Sequence, residues 1–369
     1  MLYFIISFFL FYALLHLYVY RRLRLSRRYI PIFIFFYISP LFWSYFDNHV
    51  SDPFSYYFIF LSLLWMGFMV YAGFFTLATD LYSGISSILD KFLSIKLPRP
   101  KLEMKRFLVL ILSLIFSVYS YIETLSLRVE RYEIGTNKPL FNKERIKVLH
   151  ISDVHFGRIM REDRLKLIQE VWLKEKPDIV FSTGDLVDGN PKKIEYIAQA
   201  LRELATPLGK YAVLGNHEFY RGVKNSVEFT EKAGFTVIRG RWLDLGSIAV
   251  AGVDDEACRY FKACVEPIEE EKVLKDIPQD KFVILLKHRP KVKKEVIGKF
   301  DLMLSGHLHG GLYFPIGELI LKRLYIAHQG LRKVDGSFVH VSKGVGTGGP
   351  PMRFFTPPDV AIIEIKKEE

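Results

Sequence analysis

The chain has 369 residues, half of them apolar, and a formal net charge of +11. That length holds roughly two domains of ~100–200 residues each. The positive mean hydropathy excludes a wholly water-soluble protein of ordinary make-up, and two cysteines, Cys258 and Cys264, exclude a disulfide framework or a four-thiolate zinc site.

The charge divides along the chain. Met1–Asn137 carries 13 Lys and Arg against 8 Asp and Glu, and the remainder carries 38 against 32. The mild basicity of the second part suits an anionic substrate or anionic lipid. It contains no long basic run of the kind that tracks a nucleic-acid backbone, so no nucleic-acid partner is expected. The spacing in CRYFKAC admits a small loop disulfide in an extracytoplasmic setting. Two free thiols remain the alternative.

Four apolar stretches come first: Leu2–Tyr20, Ile30–Phe46, Tyr56–Leu77 and Phe107–Leu125. About 20 residues cross the ~30 Å hydrocarbon layer. The second stretch is short and holds Pro31 and Pro40, which predicts a kink or an incomplete span. No polar face recurs at helical period in the first and third, which argues against buried helices of a soluble domain. The start has no basic lead-in and no small-residue cleavage site, so it does not read as a cleavable signal.

The first connecting loop, RRLRLSRRY, and the third, KLPRPKLEMKR, are basic, whereas the second, DNHVSDP, has no Lys or Arg. Basic loops stay in the cytoplasm. This predicts an inner-membrane protein whose N-terminus and whole C-terminal part face outward; loss of the weak second span would instead flip it or leave a re-entrant hairpin. Between the third and fourth stretches, Ile85, Ile88, Leu89, Phe92 and Ile95 fall near one helical face. They predict a short amphipathic helix, at the interface or simply connecting.

From residue 138 the pattern changes to short β-branched runs alternating with helical segments. Strand candidates are Lys147–Ser152, Ile179–Thr183, Tyr211–Leu214, Phe235–Ile238, Ser247–Gly252, Phe282–Leu286, Leu302–Ser305, Phe338–Ser342 and Val360–Ile365. Arg164–Glu175 and Ile194–Leu204 read as amphipathic helices. Such alternation predicts an α/β domain. The expected division is a membrane region over 1–127, a linker over 128–144 and a catalytic domain over 145–369.

Five motifs sit where predicted strands end. They contain Asp153 and His155; Asp185 and Asp188 after Gly184; Asn216, His217 and Glu218 after Gly215; His288; and His307 and His309 after Gly306. Open α/β sheets build their sites at the carboxyl ends of strands. Oxygen and nitrogen donors without thiolates suit Mn2+, Fe or Zn2+ rather than Ca2+. A carboxylate can bridge two such ions ~3.5–4 Å apart, which clamp the attacking and leaving oxygens and hold hydroxide as nucleophile. His150, inside a strand, reads as structural, and His328 and His340 have no partner motif. The glycines of KGVGTGG lack the spacing of a phosphate loop.

The segments VLHISDVHFG, IVFSTGDLVDG, LGKYAVLGNHEFY, AVAGVDDEA, ILLKHRP, SGHLHGG and VSKGVGTGGPPMRFFTPPDVAIIEI resemble the calcineurin-like metallophosphoesterase superfamily. They are closest to its bacterial membrane-associated branch, which includes phosphodiesterases and lipid-linked UDP-diacylglucosamine pyrophosphatases. The resemblance covers nearly all of Arg145–Ile365 and none of Met1–Asn137. It implies a four-layer αββα sandwich with two divalent metal ions, Mn2+ favoured, which here follows the α-helical transmembrane bundle of about four helices that the apolar stretches predict. Asp153, His155, Asp185 and His309 would hold the first ion, with Asp185 bridging to Asn216, His288 and His307 at the second. His217 would touch the phosphate and protonate the leaving oxygen, and Asp188 would orient it.

The chain departs from that branch at Leu312, where Gln is frequent, and the following LYFPIGELI is strongly apolar. Packing against the sheet edge is the plainer expectation. A greasy lip that meets an acyl chain or the bilayer is the sharper one. Arg158 and Arg353 are candidate phosphate-binding residues, with surface or structural ion pairs as their alternatives.

The expected activity is hydrolysis of a phosphodiester or pyrophosphate bond, with membrane lipids and a phosphoester or lipid-linked pyrophosphate as partners. A phosphomonoesterase and an inactive membrane sensor or scaffold are the competing readings. A UDP-diacylglucosamine substrate would require a cytoplasmic domain, against the loop charges.

Overall fold

The computed structural model describes residues 2–264 and 268–368. The chain forms two compact units. One comprises the helices up to Ile122 together with Gly349–Met352, and the other comprises the remainder from Glu123.

The first unit contains α1 (Leu2–Arg22), α2 (Ile30–Ile38), α3 (Trp43–His49), α4 (Phe54–Leu93) and α5 (Leu102–Leu125). Among the described residues, four helical segments are long and apolar enough to cross a membrane: Ile5–Arg22, Arg27–His49, Phe54–Leu93 and Leu102–Leu125. The second is broken, as its prolines predict. Pro31 opens α2, where its missing N–H costs nothing. Pro40 opens a 3-10 turn, Ser39–Phe42, between α2 and α3.

The separate amphipathic helix expected after Leu77 is corrected. It continues the third span as one helix of 40 residues. No proline interrupts the segment, and Gly84 alone does not end a helix. Asp80 of α4 accepts hydrogen bonds from Tyr18 at 2.8 Å, Arg22 at 2.5 Å and Lys105, tying α1, α4 and α5 together. An acid in such a helix is tolerated when it is paired in this way.

Among the described residues the second unit carries fourteen strands: β1 (Arg128–Thr136), β2 (Arg145–Ile151), β3 (Phe156–Gly157), β4 (Ile179–Ser182), β5 (Val187–Asp188), β6 (Lys210–Ala212), β7 (Thr236–Val237), β8 (Arg241–Asp244), β9 (Ile248–Gly252), β10 (Phe282–Leu286), β11 (Leu302–Ser305), β12 (Gly330–Val334), β13 (Ser337–Val341) and β14 (Asp359–Lys367). Two six-stranded sheets run β1-β14-β2-β4-β6-β7 and β12-β13-β11-β10-β9-β8, and β3 pairs β5. The helices are α6 (Glu162–Glu175), α7 (Glu195–Glu203), α8 (Asn216–Arg221), α9 (Val223–Lys232), α10 (Ala257–Tyr260), α11 (Glu270–Leu274) and α12 (Ile316–Leu324).

Alternation along the strands sorts their side chains into three apolar layers. Leu149 and Ile151 of β2 pack with Leu165, Ile168 and Trp172 of α6 and with Ile197 and Leu201 of α7. Ile146 and Val148 face the other way, onto Val250 and Ile284 of the second sheet. Ala249, Val283 and Leu285 of that sheet cover Val273 and Leu274 of α11. The result is the expected four-layer αββα sandwich. His150 bonds His340 across the two sheets at 2.9 Å and Thr183 at 2.8 Å, so both histidines are internal.

The linker expected over 128–144 is also corrected. Residues 128–136 form edge strand β1, paired in parallel with β14. Strands β8 and β12 went unread for the same reason. Each lies at a sheet edge, where charged residues replace the apolar run of a central strand. Cys258 and Cys264 form a disulfide with a Cα–Cα distance of 5.4 Å, which settles the choice the spacing left open.

Candidate metal centre

The strands end in one place and deliver their polar residues there. Asp153 and His155 follow β2, with Val154 between them turned into the core. Asp185 follows β4, Asn216 and His217 open α8 after β6, His288 follows β10, and His307 and His309 follow β11. Five of these residues, Asp153, His155, Asp185, His307 and His309, hold a left-handed backbone with φ between 49° and 72°. Such strain in non-glycine residues concentrates at functional sites.

Two glycines make the approach possible. Gly184 has φ +96°, and a Cβ there would stand 2.4 Å from the Gly215 nitrogen. A Cβ on Gly306 would stand 2.1 Å from Asp153 Oδ2. Backbone then fixes the carboxylates. His307 N donates to both oxygens of Asp153, at 3.0 and 2.9 Å, and His217 N donates to Asp185 Oδ1 at 2.8 Å.

The donor atoms fall into sets of metal-ligand type. Asp153, His155 and His309 form one, and Asp185, His288 and His307 another, each with its ligand atoms within 4.8 Å of one another. Asn216 Oδ1 joins the second, 3.1 Å from His288 Nε2. Asp185 Oδ2 faces both, 3.8 Å from His155 Nε2 and 3.3 Å from His288 Nε2.

The set fits cations on chemical grounds. His155 Nε2 and His309 Nε2 lie 3.3 Å apart, and His307 Nδ1 lies 3.1 Å from His288 Nε2. One proton satisfies one such contact, whereas a cation satisfies several lone pairs together. His288 Nδ1 bonds the Thr183 carbonyl at 2.8 Å, which turns Nε2 inward.

The electrostatics separate the histidines. Burial, with the neighbouring charge of His217, lowers His155 to about 4, and burial with His288 lowers His307 to about 3. Burial and the Arg353 guanidinium hold His309 well below its usual range. These three offer lone pairs at neutral pH. Burial opposes charge on His217 too, yet Asp188 and Asp185 outweigh it and raise that imidazole to about 9. Its Nδ1 lies 3.1 Å from Asp188 Oδ1. His217 therefore carries a proton where His155, His307 and His309 do not, while the Asp185 and Asp153 carboxylates, against burial, raise His288 as well, to about 10.

All nine expected metal and proton-transfer residues meet at this site. The two arginines differ. Arg158 is half-buried, and its charge helps hold Asp188 below the usual carboxylate range after burial, His217 and Arg221 are counted. Arg353 is corrected as a phosphate-binding candidate, because it is wholly buried. Its guanidinium donates to the carbonyls of Lys343, Thr356, Gly344 and Gly346 and backs onto His309 Nδ1 at 2.9 Å.

Residues 146–311 match the model of the calcineurin-like phosphoesterase family. An uncharacterized metallophosphoesterase of Aquifex aeolicus is 48% identical over 257 residues, covering 69% of this chain and 98% of that one. The chain belongs to the calcineurin-like phosphoesterase family. A further relative, the uncharacterized metallophosphoesterase Cj0846 of Campylobacter jejuni, is 32% identical and matches 70% of this chain and 69% of its own. A zebrafish (Danio rerio) protein named as a transmembrane protein with a metallophosphoesterase domain is 27% identical, over 70% of this chain and 62% of its own.

This calcineurin-like phosphoesterase also holds supporting residues to which the sequence assigns no role. The buried Glu218 carboxylate accepts from the backbone N–H groups of Asp185 at 2.9 Å, Val187 at 3.1 Å and Gly215 at 2.8 Å, clamping two ligand loops together. Its spacing of three from Gly215 is that of a capping box and could have signalled it. Arg221, four residues after His217 and so on the same helical face, reaches Asp188 at 2.9 Å.

The apolar segment after the last ligand does not pack away as the plainer expectation held. Ile316, Leu319, Ile320 and Leu324 of α12 are each more than half exposed, and Phe314 and Phe355 stand beside the helix.

Proposed function

We propose that this protein hydrolyses a phosphodiester or pyrophosphate bond in a lipid-linked substrate at the membrane surface, using two divalent metal ions. The observation that carries the reading is Asp185 Oδ2, turned toward His155 on one side and His288 on the other. In this reading Asp153, His155, Asp185 and His309 hold one ion, and Asp185, Asn216, His288 and His307 the second. Bound ions of this kind polarise a phosphoryl group and acidify a water. The oxygen and nitrogen donors suit Mn2+, Fe or Zn2+, and Mn2+ is the ion proposed.

The chain's own residues do the rest. His217, kept protonated by Asp188, donates a proton to the leaving oxygen. Arg158 reaches for a phosphate oxygen from the edge of the site. Glu218 keeps the Asp185 and Asn216 loops at a fixed separation. The exposed apolar face of α12 begins seven residues after His309 and supports a substrate with acyl chains.

Two features favour an outward-facing domain in the inner membrane. The basic first and third loops stay inside, and the Cys258–Cys264 bridge belongs to an oxidising compartment. The zebrafish relative's printed name describes the same pairing of a membrane segment with this domain. A reporter fused after the last strand would show the side directly, and a cytoplasmic signal would overturn this orientation.

The activity is tested with detergent-purified full-length protein and added Mn2+ on matched chromogenic phosphodiester and phosphomonoester substrates. Diester turnover, abolished by Asp185→Asn and His217→Ala, is the expected result. Preference for the monoester would make the protein a phosphomonoesterase. No turnover from metal-loaded protein on chromogenic or lipid-linked esters would favour the sensor or scaffold reading.

A further inference from the structure

The membrane unit contains a cavity of about 600 Å³ that the hydrolytic reading does not use. It lies between four helices. Val19 of α1, Phe33 of α2, Phe68 and Ala72 of α4 and Val109 of α5 contribute its apolar walls. Its size is that of an ordinary ligand pocket, ~300–1,000 Å³.

The rim is of opposite chemistry. Arg24, Arg28 and Arg106 line it. Arg106 is already engaged: it donates to the carbonyls of Leu23 at 2.8 Å and Arg24 at 2.5 Å and pairs with Glu103 at 2.8 Å. Those bonds fix the loop that carries the other two. Of the acids on the same helices, Asp80 is engaged by Arg22 and Lys105 and Glu103 by Arg106. Among the described residues Arg24 has no carboxylate partner, and the Arg28 guanidinium meets only the Tyr29 ring and hydroxyl.

A partly open apolar cavity lined by two unneutralised arginines fits one class of ligand, an amphiphile with an anionic phosphate head and an alkyl tail. Basic pockets between membrane helices take lipid headgroups on these terms. We propose that this cavity is a binding site for an anionic phospholipid, with its phosphate at Arg24 and Arg28 and one acyl chain between α1, α2, α4 and α5. The placement between helices separates it from the lipid that merely coats the unit. The proposal stands independently of the hydrolytic site.

The test uses full-length protein carrying Asp185→Asn, so that no lipid is turned over. Delipidated protein is titrated with phosphatidylglycerol or phosphatidylcholine of identical chains and read by native mass spectrometry. One phosphatidylglycerol should be retained per chain, at least tenfold more tightly than phosphatidylcholine. Arg24→Gln with Arg28→Gln on the exposed rim should remove that preference, and Ala72→Phe should lower binding of both lipids by filling the cavity. Inorganic phosphate in millimolar excess should not displace the lipid. Equal retention of both lipids, an undiminished preference in the double variant, or displacement by phosphate alone would each overturn the proposal.

Discussion

Asp188 Oδ1 lies between two cations, 3.1 Å from His217 Nδ1 and 2.9 Å from Arg221 Nη2. The carboxylate raises His217 to about 9, after burial has opposed it, and Arg221 pulls the other way. The two substitutions should therefore act oppositely. A raised pKa keeps His217 protonated below about 9 and lets the proton go above it. If that proton reaches the leaving group, activity falls as pH rises through the same range. Asp188→Asn should move this alkaline limb to lower pH, and Arg221→Gln to higher pH. The pH–rate profile of diester hydrolysis checks both, and limbs that stay in place would remove His217 from the acid role. His217→Ala should cost ~10²–10⁴ in rate, as general acids do.

Metal content should report the bridge. Asp185 faces both ligand sets, whereas His309 belongs to one. Asp185→Asn should drop the purified protein from about two ions per chain to fewer than one, while His309→Ala should leave about one. Elemental analysis of the folded variants decides this. Equal losses in the two would mean that Asp185 does not bridge.

Arg353 and Arg158 should separate by kind of damage. Arg353 satisfies four carbonyls, three of them buried, and each buried one left without a donor costs ~1–3 kcal/mol. Arg353→Met should lower the thermal midpoint by many degrees. Arg158→Ala should leave the midpoint near wild type and raise KM severalfold. A stable Arg353→Met protein with only a raised KM would restore that residue as a phosphate ligand.

The apolar face of α12 should matter only for lipidic substrates. Leu319→Ser with Ile320→Ser changes two exposed side chains. Turnover of a small chromogenic diester should be unaffected. Hydrolysis of a lipid-linked ester presented in vesicles should fall at least tenfold. Equal activity on both would make this face irrelevant to the substrate.

The ligands were legible because each motif is local. A carboxylate or histidine directly after an apolar run marks a strand end, and five such ends in one domain predict a site. What could not be read depends on partners brought from elsewhere. Arg353 looked available because nothing near it in sequence shows that Lys343, Gly344, Gly346 and Thr356 turn their carbonyls toward it. Glu218 was hidden in plain view, its role depending on the Asp185 loop 33 residues earlier. Strand β1 looked like a linker because its charged side chains lie on the exposed sheet edge.

The place of β14 has a consequence for biosynthesis. It sits inside its sheet, between β1 and β2, so the sheet is incomplete until residues 359–367 have been synthesised. The apolar helices leave the ribosome more than two hundred residues earlier, which at ~5–20 residues per second is tens of seconds. A newborn chain thus presents its apolar helices while the sheet that carries Asp153 and Asp185 still lacks the strand between β1 and β2. The apolar helices are therefore free to find their surroundings before the sheet that carries the site closes.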